Sequence, residues 1–529
     1  MMDDEKQNLS EQEELQQAGM DTFFADAPAQ QAKAEKQGGM SKNFKALIAG
    51  VSALVLLGGG LTAALLLGGN EDAGGGESSG SGSVSEPTQA PEMISLNASL
   101  AEDVTKVEIS AKEDFTVYRS AEATDESEAV YSIEGMEDIP MNKNLLSTVV
   151  RNASALSANA LVEADAQDLA KYGLADPSAD VTMHYADGSE FSIAIGAESP
   201  MDSTATYCAV DGDVYLVKST LMSNYCTEPK FFVSSTILEE PAEEEYPIVN
   251  YLRVEREDLE YDIYLEYADD GEASGGTIAA HVMREPIFAY LNPEKSVDAT
   301  NSMFGLTAAE IAEIHPTDAK LEAAGILEPF CTVTMDCDDG NTYHLYLGST
   351  YTAQSGSECY YAYLDGVDVL YGVAESSAIW ATMQAGDITS ANIFGTMVWD
   401  IAQLDVNVGD KRLTFAGEGD KDTYTVTKNG AACDKERFRL FYRFILSIYG
   451  EELCLGEEVP DRTPDASIHV AAQDGEEDYT VDFYKLDNLN MMVTMNGQPS
   501  YKIRSSCLET IEHNIDIFDT EEEFVTTWR

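Results

Sequence analysis

Two hydrophobic patterns divide the chain. From Ala46 to Gly69 the sequence contains no charged residue, and only Ser52 and Thr62 are polar. As a helix rising 1.5 Å per residue, this run would be about 36 Å long, which is enough to cross a hydrocarbon core of about 30 Å. After Val104, apolar and polar residues alternate in short runs, which is typical of half-buried β-strands. The pattern predicts one transmembrane helix followed by a β-rich region.

The charges on either side of the apolar run predict its orientation. Basic residues precede it and acidic residues follow it, namely Lys33, Lys36, Lys42 and Lys45 and then Glu71, Asp72 and Glu77. Because Lys and Arg are retained on the cytoplasmic side, residues 1–45 are expected in the cytoplasm and the bulk of the chain outside the cell. A cleaved signal peptide is the alternative, but the long preceding segment and the lack of an A-x-A site favour an uncleaved anchor.

The segments that flank residues 46–69 are predicted to lack a fold. Residues 1–45 are rich in Gln, Glu, Ala and Gly and show little apolar periodicity, which indicates a disordered tail. Residues 70–92 are rich in Gly and Ser and form a predicted flexible linker. Within the span, Gly60, Ala64 and Gly68 make a small-xxx-small face. Such a face lets another membrane helix approach closely, although Gly and Ala are also common in membrane spans generally.

A repeat is visible in the β-rich region, because Leu169–Gly196 and Leu321–Gly348 align without a gap. The residues shared are Leu169/Leu321, Gly173/Gly325, Pro177/Pro329, Val181/Val333, Thr182/Thr334, Met183/Met335, Asp187/Asp339, Gly188/Gly340 and Gly196/Gly348. In the first copy, two alternating segments flank Asp187-Gly188. Since Asp-Gly supplies the positive φ angles of a tight turn, each copy predicts a β-hairpin.

Two helices are predicted from apolar stripes at helical spacing. Met141–Leu156 carries the stripe Leu145, Leu146, Val149, Val150 and Ala153. Asp434–Tyr449 carries the stripe Phe438, Phe441, Tyr442, Ile445 and Tyr449. Each helix lies between short strands and a strand meander, so both belong to the same kind of unit.

The repeat extends in both directions and defines a tandem organisation. The predicted units are 93–238, 246–385 and a diverged 390–529. Each consists of strands, a helix and then a strand meander. The sequence therefore predicts an α+β fold class: an N-terminal single transmembrane helix, a flexible linker, and three tandem repeat units of antiparallel β-meander and hairpins with covering helices.

The charge of the chain excludes one class of partner. Its 529 residues include 95 acidic and 31 basic ones, for a formal net charge of −64. Such a surface repels a phosphate backbone, so nucleic acid is not expected as a partner. The acidity is interpreted as a device for solubility and mutual repulsion. Membrane lipid is the expected partner of residues 46–69.

The sequence resembles a bacterial family, the domain of unknown function 4340. The residues that carry this resemblance are Tyr172-Gly173-Leu174, Pro177, Asp187-Gly188, Gly196 and the strand pair at Tyr207–Val217. The first unit fits best, and the second fits from Gly325 to Tyr371. The resemblance implies an N-terminal membrane anchor and an accessory role beside export-type transporters. It supplies no catalytic residue.

The residue types that carry chemistry are present but scattered. The eight cysteines form no C-x-x-C, and the six histidines form no H-x-x-x-H. Cys331 and Cys337 fall on one predicted strand, too far apart to bond each other. Other disulfides, or buried free thiols, both remain open. Asp336–Gly340 resembles the start of a calcium loop but lacks the full ligand frame, so a turn is predicted. We therefore predict no catalytic, cofactor-binding or metal-binding residue and no cofactor.

Three functions are compatible with these features. The favoured hypothesis is a membrane-tethered, extracytoplasmic, non-enzymatic binding or scaffold module, an accessory to an exporter or to envelope assembly. It predicts a membrane-protein partner at Gly60, Ala64 and Gly68 and leaves any soluble ligand unidentified. The alternatives are a surface-displayed hydrolase or carbohydrate-active enzyme, and a sensor ectodomain that signals through residues 1–45.

Overall fold

The computed structural model describes residues 93–124, 129–268, 279–473, 475 and 478–527. All of these belong to one compact unit. The predicted tail, transmembrane helix and linker lie in residues 1–92, outside the described residues. Among the helices that are described, none combines the length and the apolar character needed to span a bilayer.

The first part of the described chain forms sheet 1 and a short ribbon. Its elements are β1 (Ile94–Ser95), β2 (Val104–Ser110), β3 (Phe115–Ala121), β4 (Val130–Ile133), α1 (Lys143–Ser154), β5 (Ser157–Ala158), β6 (Ala160–Glu163), β7 (Ala179–Tyr185), β8 (Glu190–Ser199), β9 (Asp202–Val210), β10 (Asp213–Lys218) and α2 (Ser219–Met222). Sheet 1 has the order β4-β3-β2-β7-β8-β9-β10-β6, and β1 pairs with β5. The ribbon is extended by a hydrogen bond from the Leu96 N–H to the Leu156 carbonyl, 2.9 Å long.

The middle part forms sheet 2. Its elements are β11 (Val249–Arg256), β12 (Ile263–Tyr267), β13 (His281–Glu285), β14 (Ala289–Tyr290), α3 (Pro293–Asn301), β15 (Glu310–Ile314), α4 (Asp318–Ala323), β16 (Cys331–Cys337), β17 (Thr342–Thr352), β18 (Glu358–Leu364), β19 (Val369–Ala374) and α5 (Ala385–Ile388). The spatial order is β14-β13-β12-β11-β16-β17-β18-β19-β15. Every strand pairing in the sheet is antiparallel.

The last part forms sheet 3. Its elements are β20 (Ile401–Val408), β21 (Lys411–Glu418), β22 (Thr425–Lys428), β23 (Ala431–Ala432), α6 (Lys435–Leu446), β24 (Glu452–Leu453), β25 (Ala466–Ala472), β26 (Asp478–Lys485), β27 (Asn490–Met495), β28 (Gln498–Arg504) and α7 (Ser506–Asp516). The spatial order is β23-β22-β21-β20-β25-β26-β27-β28-β24.

The three sheets share one strand order. In each, the strands before the main helix lie on one side, a long meander lies on the other, and the strand that follows the helix closes the far edge as β6, β15 or β24. The core lies where the inward residues of each sheet meet the helices and connecting segments. The described chain is therefore a mostly antiparallel α+β fold with few helices, as the sequence predicted.

Helix α1 begins at a polar cap and buries one face. The Asn142 side chain accepts a hydrogen bond from the Leu145 N–H at 3.2 Å, which satisfies one of the free amides of the first turn. Leu146, Val149 and Val150 are buried against the sheet. The predicted stripe was wrong at Leu145, which lies on the edge of the stripe and is 37% exposed.

Helix α6 fills the core of sheet 3 with aromatic rings. Asp434 caps its first turn, and Phe438 and Phe441 are fully buried. The helix ends at Leu446, three residues earlier than predicted. Tyr449 is therefore not on the buried stripe, and instead it forms an isolated β-bridge beyond the helix.

The Asp-Gly turns differ from one another. At Asp211-Gly212 both residues have positive φ, 51° and 90°, as predicted for a two-residue hairpin turn. At Asp187-Gly188 only the glycine does, with φ 85°. There the Asp187 carboxylate instead accepts a hydrogen bond from the Ser189 N–H at 2.9 Å. The prediction that both residues supply positive φ was wrong at this turn, because the loop is longer than two residues.

Candidate functional site

A connecting segment, residues 233–238, joins sheet 1 to sheet 2 through backbone hydrogen bonds on both sides. The Ser234 N–H donates to the Pro140 carbonyl, just before α1, at 2.7 Å. The Ala308 N–H, after α3, donates to the Ser235 carbonyl at 2.7 Å. This segment, called connector 1 below, therefore pairs with both neighbours.

Residues 389–394 join sheet 2 to sheet 3 in the same way and are called connector 2. The Ser390 N–H donates to the Tyr290 carbonyl, before α3, at 2.7 Å. The Gly450 N–H, after α6, donates to the Ala391 carbonyl at 2.7 Å. Because both connectors make equivalent bonds with equivalent elements, the described chain contains one joint used twice.

At the first joint, an imidazole lies between two carboxylates. His315 directly follows the edge strand β15, and its Nδ1 is 2.7 Å from Asp368 Oδ2. The His315 N–H also donates to the Asp368 carbonyl at 3.0 Å. Asp138 lies nearby, on the loop between β4 and α1. One ligand atom from each of these three side chains lies within 4.8 Å of the other two.

The two carboxylates set the charge of this histidine. The hydrogen bond to the Asp368 carboxylate raises the pKa of His315 above its usual value and outweighs the opposing effect of burial, while the charge of Asp138 and the backbone of Gly135 add smaller effects that also raise the pKa. His315 has φ 48°, a left-handed conformation that is uncommon for a residue with a side chain. The backbone and ring hydrogen bonds to Asp368 therefore fix the position of the His315 ring.

The other end of β15 borders a groove of about 350 Å³ at the same joint. Leu145 and Phe231, which are 37% and 56% exposed, lie on its sheet 1 side. Glu310 and Gln354 lie on its sheet 2 side, where the Gln354 N–H donates to Glu310 Oε2 at 2.9 Å. The edge of sheet 2 thus has a polar cluster at one end and a partly apolar groove at the other.

Two further histidines stand between carboxylates on the outer sheet faces. His184 lies 3.3 Å from Glu108 and 3.2 Å from Glu190 on sheet 1. His469 lies 2.7 Å from Asp478, and 3.9 Å from Asp405, on sheet 3. In the part of the chain that the structure describes, only Asp138, His315 and Asp368 bring three potential metal ligands within 4.8 Å of one another.

The cysteines form no disulfide in the structure, which describes all eight. Cys331 and Cys337 lie at the two ends of β16, as predicted, and both are buried. Burial raises the pKa of Cys208 and of Cys331 to about 12. Cys226 is exposed. These thiols are mostly core residues, which is one of the two states that the sequence left open.

The calcium-like segment Asp336–Gly340 forms the end of β16 and the following turn. Asp336 accepts hydrogen bonds from Asn250 at 2.9 Å and from Thr342 at 2.7 Å. The turn prediction is therefore confirmed. The predicted helix-packing face at Gly60, Ala64 and Gly68 lies outside the described residues.

Sequence reasoning did not find the cluster of Asp138, His315 and Asp368. Its members are far apart in the chain, and the sequence contains no short motif around any of them. They meet only because connector 1 brings the loop before α1 against the edge of sheet 2. The gapless repeat of Leu169–Gly196 and Leu321–Gly348 contains none of the three residues, so it gave no signal for the cluster.

The fold defines a class of protein in which antiparallel α+β sheets of one strand order are joined by repeated connectors. Residues 132–329 match the family described as Domain of unknown function (DUF4340). The resemblance inferred from the sequence is therefore confirmed over residues 132–329. The match begins in β4 and ends just before β16, so it includes connector 1 and its hydrogen-bond partners but not Asp368. No curated protein and no solved structure matches the chain.

Proposed function

We propose that this chain is a non-enzymatic binding and scaffold module, tethered to the membrane by residues 46–69 and placed outside the cytoplasm. It acts beside an export-type transporter or in assembly of the cell envelope. The observation that carries this proposal is the joint used twice, since connectors 1 and 2 make the same backbone bonds. Joints of this kind hold several binding faces in a fixed relation, which is what a scaffold requires.

The outer faces of the three sheets carry different residues, although the two joints make the same backbone bonds. One outward position in the equivalent strands β2, β11 and β20 pairs with Thr182 in sheet 1, Thr334 in sheet 2 and His469 in sheet 3. The residues at that position are Glu108, Arg253 and Asp405. Glu108 and Arg253 thus present opposite charges on sheets 1 and 2, whereas Asp405 is only 6% exposed in sheet 3. Divergent faces on a repeated frame favour contact with several partner surfaces rather than one repeated ligand.

The proposal is tested with the full-length chain in mild detergent. Captured partners are identified by mass spectrometry for wild type and for the triple variant Gly60→Leu, Ala64→Leu and Gly68→Leu. The control carries Val55→Ala and Leu66→Ala, on the opposite helix face at about 100° per residue. We expect a membrane-protein partner with wild type and control and its loss in the triple variant, because leucines prevent close helix approach.

Two results would contradict the proposal. The first is capture of no transporter or envelope component by wild type under conditions that preserve membrane complexes. The second is turnover of a polysaccharide or ester substrate by the purified chain, which would favour the enzyme alternative. Protease added to intact cells tests the topology separately, since it should cleave the Tyr-rich bulk of the chain and spare residues 1–45.

A further inference from the structure

We propose that Asp138, His315 and Asp368 bind a divalent transition-metal ion of the Zn²⁺ type at the first joint. The site goes beyond the proposed function, which needs no metal. It would add a coordinate link between sheet 1 and sheet 2 next to connector 1. The three ligands come from both sheets, so binding couples the two.

The spacing of the ligands fits one ion after a small closure. The three ligand atoms lie within 4.8 Å of one another. Zn²⁺ binds nitrogen and carboxylate oxygen at about 2.0–2.2 Å, so two ligands of one ion are about 3.4 Å apart in tetrahedral geometry. Asp138 is exposed, and rotation of its side chain can supply the remaining approach.

Two of the three ligands are already fixed in position. The His315 N–H bonds to the Asp368 carbonyl at 3.0 Å, and the side chains of the same residues meet at 2.7 Å. A carboxylate on one ring nitrogen also orients a histidine toward a metal on the other, so Asp368 serves as ligand or as orienting partner. Because an Nδ1–H that donates to Asp368 cannot itself bind a metal, the ion takes Nε2 while this hydrogen bond is kept, or it displaces the proton and binds Nδ1.

The charges around the cluster leave it in need of a cation. Within the described residues, Asp138 makes no ion pair, and Asp368 pairs only with His315. Among the residues that the structure describes, the negative charge of these two carboxylates is therefore balanced only by the His315 imidazole and not by an ion pair with Lys or Arg. A divalent ion balances both carboxylates at once, whereas a proton on His315 balances only one.

The ligand types select the class of ion. One imidazole nitrogen with carboxylate oxygens suits Zn²⁺, Co²⁺ and related ions, whereas Mg²⁺ and Ca²⁺ prefer oxygen alone. Three protein ligands leave a fourth position for water. No thiol belongs to the cluster, and burial raises the pKa of the Cys331 and Cys337 thiols to about 12, so these thiols do not compete near neutral pH.

The test uses the full-length chain, freed of metal, with Zn²⁺ and Co²⁺ as probes. Calorimetric titration is compared for wild type, Asp138→Asn, His315→Gln and the control His469→Gln. The control removes a histidine that also lies near two carboxylates, Asp405 and Asp478, but without metal spacing. We expect one Zn²⁺ bound by wild type and control, and binding weakened at least about tenfold in the other two variants.

Two further readouts separate metal binding from other effects. Zn²⁺ should raise the unfolding temperature of wild type and His469→Gln, and not that of Asp138→Asn or His315→Gln, whose metal-free unfolding temperatures show whether they fold. Co²⁺ should give visible absorption without the near-ultraviolet thiolate band. The proposal would be overturned by equal Zn²⁺ affinity in all four proteins, by a thiolate band, or by no binding to wild type. Asp138, His315 and Asp368 would then form only an ion-paired cluster.

Discussion

Gly196 lies directly against the backbone carbonyl of Tyr172, so that any side chain at this position would overlap the carbonyl oxygen. Gly348 has the same relation to the Ala324 carbonyl. Both glycines are among the residues that the repeat shares. The two shared glycines therefore reflect a contact that both units make. The turn before the hairpin packs on the second strand of the hairpin, and only glycine allows this close approach.

This contact predicts the effect of the smallest possible side chain. Gly196→Ala should destabilise the fold by about 1–3 kcal/mol, because the strand or the turn must move to relieve the overlap. The change is measured as a shift in the midpoint of urea denaturation. Gly386→Ala is the matched control, since a Cβ there meets only Leu453, at 3.8 Å. Equal midpoints for the two variants would show that the close approach is absent.

The two connectors predict matched losses of stability. The Ser234 hydroxyl accepts a bond from the Thr236 N–H at 3.1 Å, and Ser390 accepts one from the Asn392 N–H at 3.2 Å. Ser234→Ala and Ser390→Ala should each cost about 0.5–1.5 kcal/mol, since one hydrogen bond is lost in the same setting. Thermal unfolding of both variants checks this. Clearly unequal losses would contradict the equivalence of the joints.

His281 predicts a loss of stability in mild acid. It is 8% exposed, and its Nε2 donates to the Val249 carbonyl at 2.7 Å. Burial lowers the pKa of His281 below its usual value of 6.5. The unfolded chain therefore binds the proton first, and stability from this group falls as pH drops below about 6.5, by at most about 1.4 kcal/mol per pH unit.

The measurement for His281 is the pH dependence of unfolding between about pH 7.5 and 5, the range that brackets the ordinary histidine pKa. His281→Gln keeps a donor for the Val249 carbonyl but does not titrate. The stability of wild type should fall more steeply than that of the variant over this range. His315 does not confuse the comparison, because its contribution is present in both proteins. Parallel curves would show that His281 is protonated with little penalty in the fold.

The free cysteines predict a simple labelling pattern. Cys226 is exposed and Cys433 is partly exposed, whereas the other six are buried. A maleimide should label Cys226 first and Cys433 more slowly in the native protein, with the remainder labelled only after denaturation. Cys226→Ser identifies the first site by mass. Protection of Cys226 that a reductant removes would instead show a disulfide, for which Cys208 is the nearby thiol whose pKa responds to Cys226.

The sequence predicted those parts of the fold that local patterns encode. The hairpin at Asp187-Gly188 was recognised because strands alternate and the turn has a distinct composition. Helix α1 was recognised from its apolar stripe. A helix was expected in the second unit, but α3 could not be located from the sequence, because it buries Ser296, Ala299 and Thr300, small or polar residues that leave no apolar stripe. Local secondary structure could therefore be predicted where apolar and polar positions form a clear periodic pattern.

Long-range relations were not readable from one chain. The edge strand β15 pairs with β19, far along the chain, and its half-buried residues show no alternation. The approach of Asp138 to His315 depends on that edge and on connector 1 together. Neither pairing has a local signal, because both are decided by the packing of whole units. The candidate metal site was therefore beyond the reach of motif reasoning.

The ribbon of β1 and β5 has a consequence for how such chains can change over time. The bond from Leu96 to Leu156 repeats the one from the Ile237 N–H to the Leu306 carbonyl, 2.8 Å long. The segment that enters the first unit thus pairs with the residues after α1 in the same way that connector 1 pairs with the residues after α3. Gene duplication could therefore insert another unit ahead of the existing ones without inventing a new interface, so evolution can lengthen or shorten the series one module at a time.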